Sequence, residues 1–124
     1  MTDAETQRLQ GGALNAALAN EIVRLIADGA GRGATTSRAF VDHDTVVCLL
    51  QDCATRAERT LVAAGKADLV RLQRDALQRA LEPQLIEAVQ RLTGRTVTAF
   101  LSGCSTEGDS QVEVFVLAPQ HADS

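Results

Sequence analysis

Residues 45–50 of the chain read Thr-Val-Val-Cys-Leu-Leu, and the predicted fold class follows from this segment and its neighbours. Its β-branched and aliphatic side chains are typical of a strand. Because successive side chains of a strand point to opposite faces of the sheet, the even-numbered residues share one face, while Val47 and Leu49 share the other. Both faces are apolar, whereas a sheet with one face in water should alternate apolar and polar residues. The segment therefore predicts a sheet that is covered on both sides.

Two β-hairpins are predicted from this strand and the segments around it. Residues 38–41 read as a strand, and the polar turn 42–44 separates them from the first segment. Further along the chain, residues 96–102 and 111–117 flank a turn at residues 106–110 that contains glycine, aspartate and serine. The two hairpins together predict a four-stranded antiparallel sheet.

A helix is predicted before the first hairpin. From Ala13 to Ile26 the apolar residues recur every three or four positions, which is the spacing of one helix face. Gly29 is placed to end this helix. Residues 1–12 are expected to form a flexible arm, and the polar residues 119–124 a flexible tail.

Two further helices are predicted between the hairpins. Thr55 and Glu58 have the spacing of a capping box, so a short helix begins at Thr55, and it ends at Gly65. A long helix follows and ends at Gly94; Pro83 lies inside it, so either the helix bends there or two helices abut. Its apolar face comprises Leu69, Leu72, Ala76, Leu77, Ala80, Leu81, Leu85, Val89 and Leu92.

This order of elements predicts one α+β domain over residues 13–118, a two-layer sandwich in which a long kinked helix and shorter helices pack on one antiparallel sheet. The second face of that sheet also needs cover, and another copy of the chain would supply it. The sequence therefore predicts a homodimer. Its expected interface consists of Val47, Leu49, Phe115 and Leu117.

The composition limits the classes of function. The chain has 124 residues, 12 of them basic and 16 acidic, for a net charge of −4, which argues against nucleic acid as a partner. No apolar run approaches the ~20 residues that a membrane span needs, so no direct membrane insertion is expected. Met1 to Glu5 carry acid where a secretory signal carries base, which indicates the cytoplasm. The 3 cysteines contain no CxxC pair and fit reduced thiols.

The glycine-rich segment 29–33 allows two interpretations. It is either the C-terminal cap of the first helix, with glycines in left-handed conformation, or a backbone nest that binds a small anion such as bicarbonate. In the second case Gly31 and Gly33 provide backbone amides, Arg32 provides charge, and Arg38 assists.

No catalytic centre is expected, and neither a cofactor nor a metal. His43 and His121 match no zinc spacing with the cysteines, and a nucleophile with a neighbouring base and acid is not present in the pattern. Cys48 is expected in the core, and Cys53 and Cys104 near loops as free thiols. The arginines of the long helix alternate with acids and indicate a solvated, ion-paired face. They are Arg71, Arg74, Arg79 and Arg91.

Several short motifs, taken in order, resemble one family. They are Gly31-Arg32-Gly33, the segment 55–61 (Thr-Arg-Ala-Glu-Arg-Thr-Leu), Leu92-Thr93-Gly94 and the segment 114–117 (Val-Phe-Val-Leu). Over residues 13–118 the chain resembles MpsC-like domains, named for a component of a sodium-translocating, membrane-potential-generating system. It departs from that family at Ala34, where proline is usual, and at Gly103, where aspartate is usual.

The resemblance implies a small bacterial protein whose relatives are linked to sodium-dependent or bicarbonate-transporting membrane complexes. The family is not known as an enzyme family, so no enzymatic activity is expected. On this basis we expect an accessory or regulatory subunit, a dimeric interaction module at the cytoplasmic face of a membrane transporter, which it reaches through a protein partner. A small-anion sensor that uses the Gly-Arg-Gly loop is the alternative.

Overall fold

The structure, a computed structural model, describes residues 9–31, 34 and 36–120. It confirms the α+β class and the four-stranded antiparallel sheet. In chain order the elements are α1 (Gly11–Ala30), β1 (Thr36–Asp42), β2 (Thr45–Gln51), α2 (Arg56–Ala63), α3 (Ala67–Thr93), β3 (Val97–Ser105) and β4 (Ser110–Leu117).

The two hairpins join side by side, and the strand order of the sheet is β1-β2-β4-β3. All neighbouring strands are antiparallel, and the second strands of the two hairpins, β2 and β4, form the centre of the sheet. The turn of the first hairpin contains only His43 and Asp44, because Asp42 already pairs with Thr45. His43 accepts the positive φ of 54° that such a tight turn requires.

The register between β2 and β4 corrects the predicted interface. Val46 lies opposite Phe115 in the ladder, so Phe115 belongs to the same face as Val46. That face is covered by the helices, and both Phe115 and Leu117 are buried in the core. The prediction that these two residues share a face with Val47 and Leu49 was therefore wrong, because a shift of one residue in strand pairing exchanges the two faces of a strand.

Helix α1 differs from the prediction at both ends. It begins at Gly11, inside the segment expected to be a flexible arm, and it continues through Gly29. Gly31 is the residue that ends it: with φ 82° it adopts the left-handed conformation and donates its N–H to the carbonyl of Ala27. A Cβ on Gly29 would lie 3.2 Å from the side chain of Leu81, so Gly29 instead permits the close approach of α1 and α3.

Helix α3 runs from Ala67 to Thr93 as one continuous helix through Pro83, so two abutting helices are excluded. Gly94 ends it in left-handed conformation with φ 71°, as predicted. The predicted apolar face is wrong in the first turns, where Leu69 and Leu72 are 52% and 66% exposed. The buried side of α3 comprises Val70, Arg74, Gln78, Leu81, Leu85, Ala88 and Val89.

The core lies between the helices and one face of the sheet. Leu18 and Ile22 of α1 and Leu85 of α3 are fully buried against it. The rings of Phe100 and Phe115, from neighbouring strands, have their centroids 5.0 Å apart, a distance typical of stabilising aromatic pairs. All three described helices pack on this side or against one another, so none of them lies on the opposite face of the sheet.

Candidate functional site

The open face of the sheet carries an apolar row that crosses all four strands. Phe40 of β1 pairs with Val47 of β2, Val47 with Val114 of β4, and Val114 with Leu101 of β3. Directly paired residues of antiparallel strands project on the same face, so the four side chains form one line. Phe40 is 44% and Leu101 57% exposed, and the two valines between them are half-buried.

A second row lies on one side of this line. In it Leu49 pairs with Val112, and Arg38 and Gly103 stand on the outer strands. Arg38 is exposed.

A third row lies on the other side. In it Thr45 pairs with Val116, and Asp42 and Ala99 stand on the outer strands. Within these three rows the only charged residues are therefore Arg38 and Asp42, both on β1. We call the three rows together the open face.

The sequence prediction found part of the open face. Val47 and Leu49 lie on it, as expected, whereas the valines of β4 take the place assigned to Phe115 and Leu117. Phe40 and Leu101 were missed. Both β1 and β3 have apolar residues on each of their two faces. Only the pairing of the strands shows which of these residues are exposed.

A buried ion pair lies on the other side of the molecule, between α2 and α3. Arg74 Nε and Nη2 donate to Glu58 Oε2 and Oε1, at 3.0 and 2.9 Å. The hydrogen bond to Glu58 raises the pKa of Arg74 above its ordinary value. The sequence had placed Arg74 on a solvated face, which is wrong, whereas Arg71 and Arg79 do form exposed ion pairs within α3.

Glu58 also closes the predicted capping box at the start of α2. The backbone N–H of Thr55 donates to Glu58 Oε1 at 2.9 Å, and the N–H of Glu58 donates to Thr55 Oγ1 at 3.1 Å. One carboxylate thus receives hydrogen bonds from the N-cap residue of α2 and from Arg74 of α3. This arrangement fixes the short helix against the long one.

Asp109, in the turn between β3 and β4, connects that turn to the loop before α2. Its Oδ1 accepts the backbone N–H groups of Cys53 and Ala54, at 3.1 and 2.9 Å, and it lies 3.9 Å from Arg74 Nη2. Burial raises the pKa of the Cys53 thiol. Because the thiolate is the reactive form of cysteine, the Cys53 environment does not favour nucleophilic chemistry.

A cleft of about 370 Å³ opens beside this ion pair, a volume within the range of small-molecule sites. Its walls are α2, the start of α3 and the turn before β4, with Val62, Ala63 and Val70 among its apolar residues. Its two guanidinium groups already have partners: Arg74 binds Glu58, and Arg59 Nη1 donates to the carbonyl of Ala54 at 2.8 Å. The cleft therefore offers an apolar surface with bonded polar groups around it.

A second buried polar cluster lies under α3. Glu113 of β4 is fully buried, and Gln111 Nε2 donates to its Oε2. In the amide orientation that satisfies the hydrogen-bonding groups of all three side chains, Gln78 donates to the two Glu113 oxygens, at 3.0 and 3.1 Å. Burial raises the pKa of Glu113 to about 7, against the hydrogen bonds from Gln111 and Ser102 that lower it.

The remaining predicted site residues are dispersed. Gly31 caps α1, Arg38 lies on the open face, and Arg32 and Gly33 lie outside the described residues, as does His121. His43 is exposed and its Nδ1 lies 2.7 Å from Asp42 Oδ1. Cys48 is in the core as predicted, where burial, followed by the nearby Glu113, raises its pKa to about 12.

Over the part of the chain that the structure describes, no group of three or more histidine, cysteine, aspartate or glutamate side chains is placed to hold a metal ion. In that same part, no helix combines the length and the apolar character needed to span a bilayer.

The comparison with protein families shows the family of the chain. The profile of the family described as "Na+-translocating membrane potential-generating system (MpsC)" matches residues 10–119. The chain belongs to the MpsC family. The match covers both hairpins and the three described helices, and it leaves out only the two ends of the chain. It confirms the family resemblance of the sequence motifs. The description of the family links its members to a sodium-translocating system. No curated protein and no solved structure shows a significant match to the chain.

Proposed function

We propose that the chain is a non-catalytic accessory subunit of a bacterial sodium-translocating or inorganic-carbon-transporting membrane system, and that it acts as a homodimeric protein-interaction module at the cytoplasmic face of the membrane. This proposal rests on the open face. Four apolar side chains in one line across a sheet, the outer two exposed, form the kind of patch that marks a protein contact in soluble domains.

The state of the polar groups supports the non-catalytic part of the proposal. Arg74, Glu58 and Asp109 are hydrogen-bonded to one another or to backbone groups, which is what buried polar residues need for stability. Burial raises the pKa of Cys48 and of Cys53, so both thiols are kept from the reactive thiolate form. These features favour a structural role for the interior.

The anion-sensing alternative gains no support from the described residues. Gly31 lies at the C-terminal end of α1, where the free backbone groups are carbonyls and the helix dipole is negative. An anion is stabilised at the opposite end of a helix. The alternative stays a prediction for Arg32 and Gly33. Calorimetry with bicarbonate would support it only if wild type gives heat that is lost in Arg32→Ala.

The proposed function is tested in cells that lack the gene for this chain. Membrane potential is measured with a voltage-sensitive dye at low and high external sodium, after re-expression of wild type, Leu101→Asp or Leu72→Asp. Both leucines are exposed, but Leu72 lies on α3, away from the open face. We expect wild type and Leu72→Asp to restore the sodium-dependent potential and Leu101→Asp to fail, although all three accumulate as folded protein.

Two results would contradict the proposal. If deletion of the gene leaves the sodium-dependent potential unchanged, the chain has no role in that system. If Leu101→Asp restores the potential as well as Leu72→Asp does, the open face is not the functional surface. Co-purification of a transport protein with wild type, but not with Leu101→Asp, would add direct support for the contact.

A further inference from the structure

We propose that two copies of the chain pack their open faces together about a twofold axis that runs along the row from Phe40 to Leu101, so that Arg38 of each copy faces Asp42 of the other. This inference rests on the proposed function, which assigns the open face to protein contact. It adds the register in which a second copy binds.

The positions of the two charges are set by β1. Arg38 and Asp42 lie two residues before and two residues after Phe40, so all three side chains project on the same face. Each charge is therefore ~7 Å from Phe40 along the strand, on opposite sides of the apolar row. Both are exposed, and Arg38 forms no ion pair with any other residue in the described part of the chain.

A symmetric contact between two identical sheet faces places the twofold axis in the plane between them. An axis along the strands would set β1 of one copy over β3 of the other. Arg38 would then cover Gly103, and Asp42 would cover Ala99. Four charges would lose water without gaining a partner, which is unfavourable.

An axis across the strands gives the opposite result. It sets β1 over β1 with reversed direction, so the row that contains Arg38 covers the row that contains Asp42, and two identical ion pairs form. Each residue of the central row then meets its own counterpart, with Phe40 against Phe40 and Leu101 against Leu101. Sheets that pack face to face in this aligned manner keep their strands within about 30° of each other.

His43 does not prevent this pairing. Its Nδ1 lies 2.7 Å from Asp42 Oδ1, but the Asp42 side chain is 87% exposed and accessible to a second donor. The guanidinium of arginine suits this position, because its planar group can donate to a carboxylate that already has another partner.

The area of the open face limits the size of the contact. Four strands spaced ~4.8 Å apart, with about seven residues each at ~3.3 Å per residue, cover roughly 440 Å² on each copy. The two copies together bury about 900 Å², below the ~1,200 Å² at which stable interfaces begin. We therefore expect a weak, reversible dimer rather than a permanent one.

The test is a charge exchange, read by analytical ultracentrifugation of the full chain over a range of concentrations. Arg38→Glu alone, or Asp42→Lys alone, places like charges opposite each other twice in each dimer. We expect each single variant to raise the dissociation constant at least tenfold. The double variant Arg38→Glu/Asp42→Lys restores opposite charges and should return within about threefold of wild type.

Further variants separate this inference from the proposed function. Leu101→Asp should abolish the dimer, and Leu72→Asp should leave it unchanged. If Leu101→Asp abolishes the dimer while the charge variants bind like wild type, the open face is an interface but the register is wrong. If wild type stays monomeric at several hundred micromolar, no second copy binds there. In that case the membrane-potential assay still decides whether the open face serves another protein.

Discussion

Arg74 and Glu58 form a bidentate ion pair between α3 and α2, with N to O distances of 3.0 and 2.9 Å, and both side chains are buried. Such a pair contributes little compared with a well-packed apolar replacement of both residues, but the loss of one partner leaves a buried charge. The pair therefore makes the packing of α2 on α3 sensitive to single substitutions at either position.

We predict that Arg74→Leu lowers the free energy of unfolding by about 3–5 kcal/mol, because it removes the cation bound to the buried Glu58 carboxylate. Urea unfolding followed by circular dichroism measures this loss. Arg79→Leu is the matched control on the same helix. Arg79 forms an ion pair with Asp75, at 3.3 Å, in which both side chains are exposed. The control substitution should therefore lower the free energy of unfolding by at most about 1 kcal/mol. Equal losses in the two variants would contradict the structural role of the buried pair.

Glu113 gives a pH dependence of stability. Its pKa is raised from 4.5 to about 7 by burial, so the folded chain holds this proton more tightly than the unfolded chain does. Between pH 4.5 and 7 the unfolded state has released the proton while the folded state keeps it, and stability falls as pH rises through this window.

We predict that Glu113→Gln removes this loss. The difference in unfolding free energy between variant and wild type should shift by about 3 kcal/mol in favour of the variant from pH 4 to pH 8. Unfolding curves of both proteins at each pH measure it, since contributions of other groups cancel in the difference. A difference that does not change with pH would show that Glu113 titrates alike in both states.

Much of the local structure was predictable because its signals are local. The capping box of Thr55 and Glu58, the cap at Gly94 and both hairpin turns depend on residues a few positions apart. The exposed face of β4 was not predictable. Its valines join Val47 through a pairing register between distant segments, and a shift of one position would have exposed Phe115 instead.

The buried ion pair shows a second limit. Val70, Arg74 and Gln78 follow one another at intervals of four, and this spacing continues the inner face of α3 toward its start. The apolar residues by themselves predict an inner face that contains Leu69 and Leu72 instead. The polar residues enter the interior because partners from distant segments, such as Glu113 for Gln78, meet them there.

Cys48 provides a probe of global unfolding. With a pKa of about 12 and a fully buried side chain, its thiolate is essentially unpopulated at pH 8 in the folded chain. We predict that iodoacetamide labels Cys48 at pH 8 only through unfolding, so Arg74→Leu should accelerate this labelling at least a hundredfold. Mass spectrometry of the Cys48 peptide measures the rate. Arg79→Leu should label within about fivefold of the wild-type rate, and rapid labelling of Cys48 in wild type would contradict the burial of this strand.

The last prediction concerns Asp109, whose side chain accepts two backbone N–H groups and whose backbone has a positive φ of 46°. Asp109→Ala removes the acceptor and places a residue poorly suited to left-handed backbone, so we expect a loss of about 2–3 kcal/mol in unfolding free energy.

Asp109→Asn is the matched variant, because asparagine keeps an acceptor oxygen and tolerates this backbone conformation. It should lose less than about 1 kcal/mol, and urea unfolding of the two variants beside wild type measures both values. If the alanine and asparagine variants lose the same amount, the negative charge 3.9 Å from Arg74, rather than the backbone hydrogen bonds, accounts for the role of Asp109.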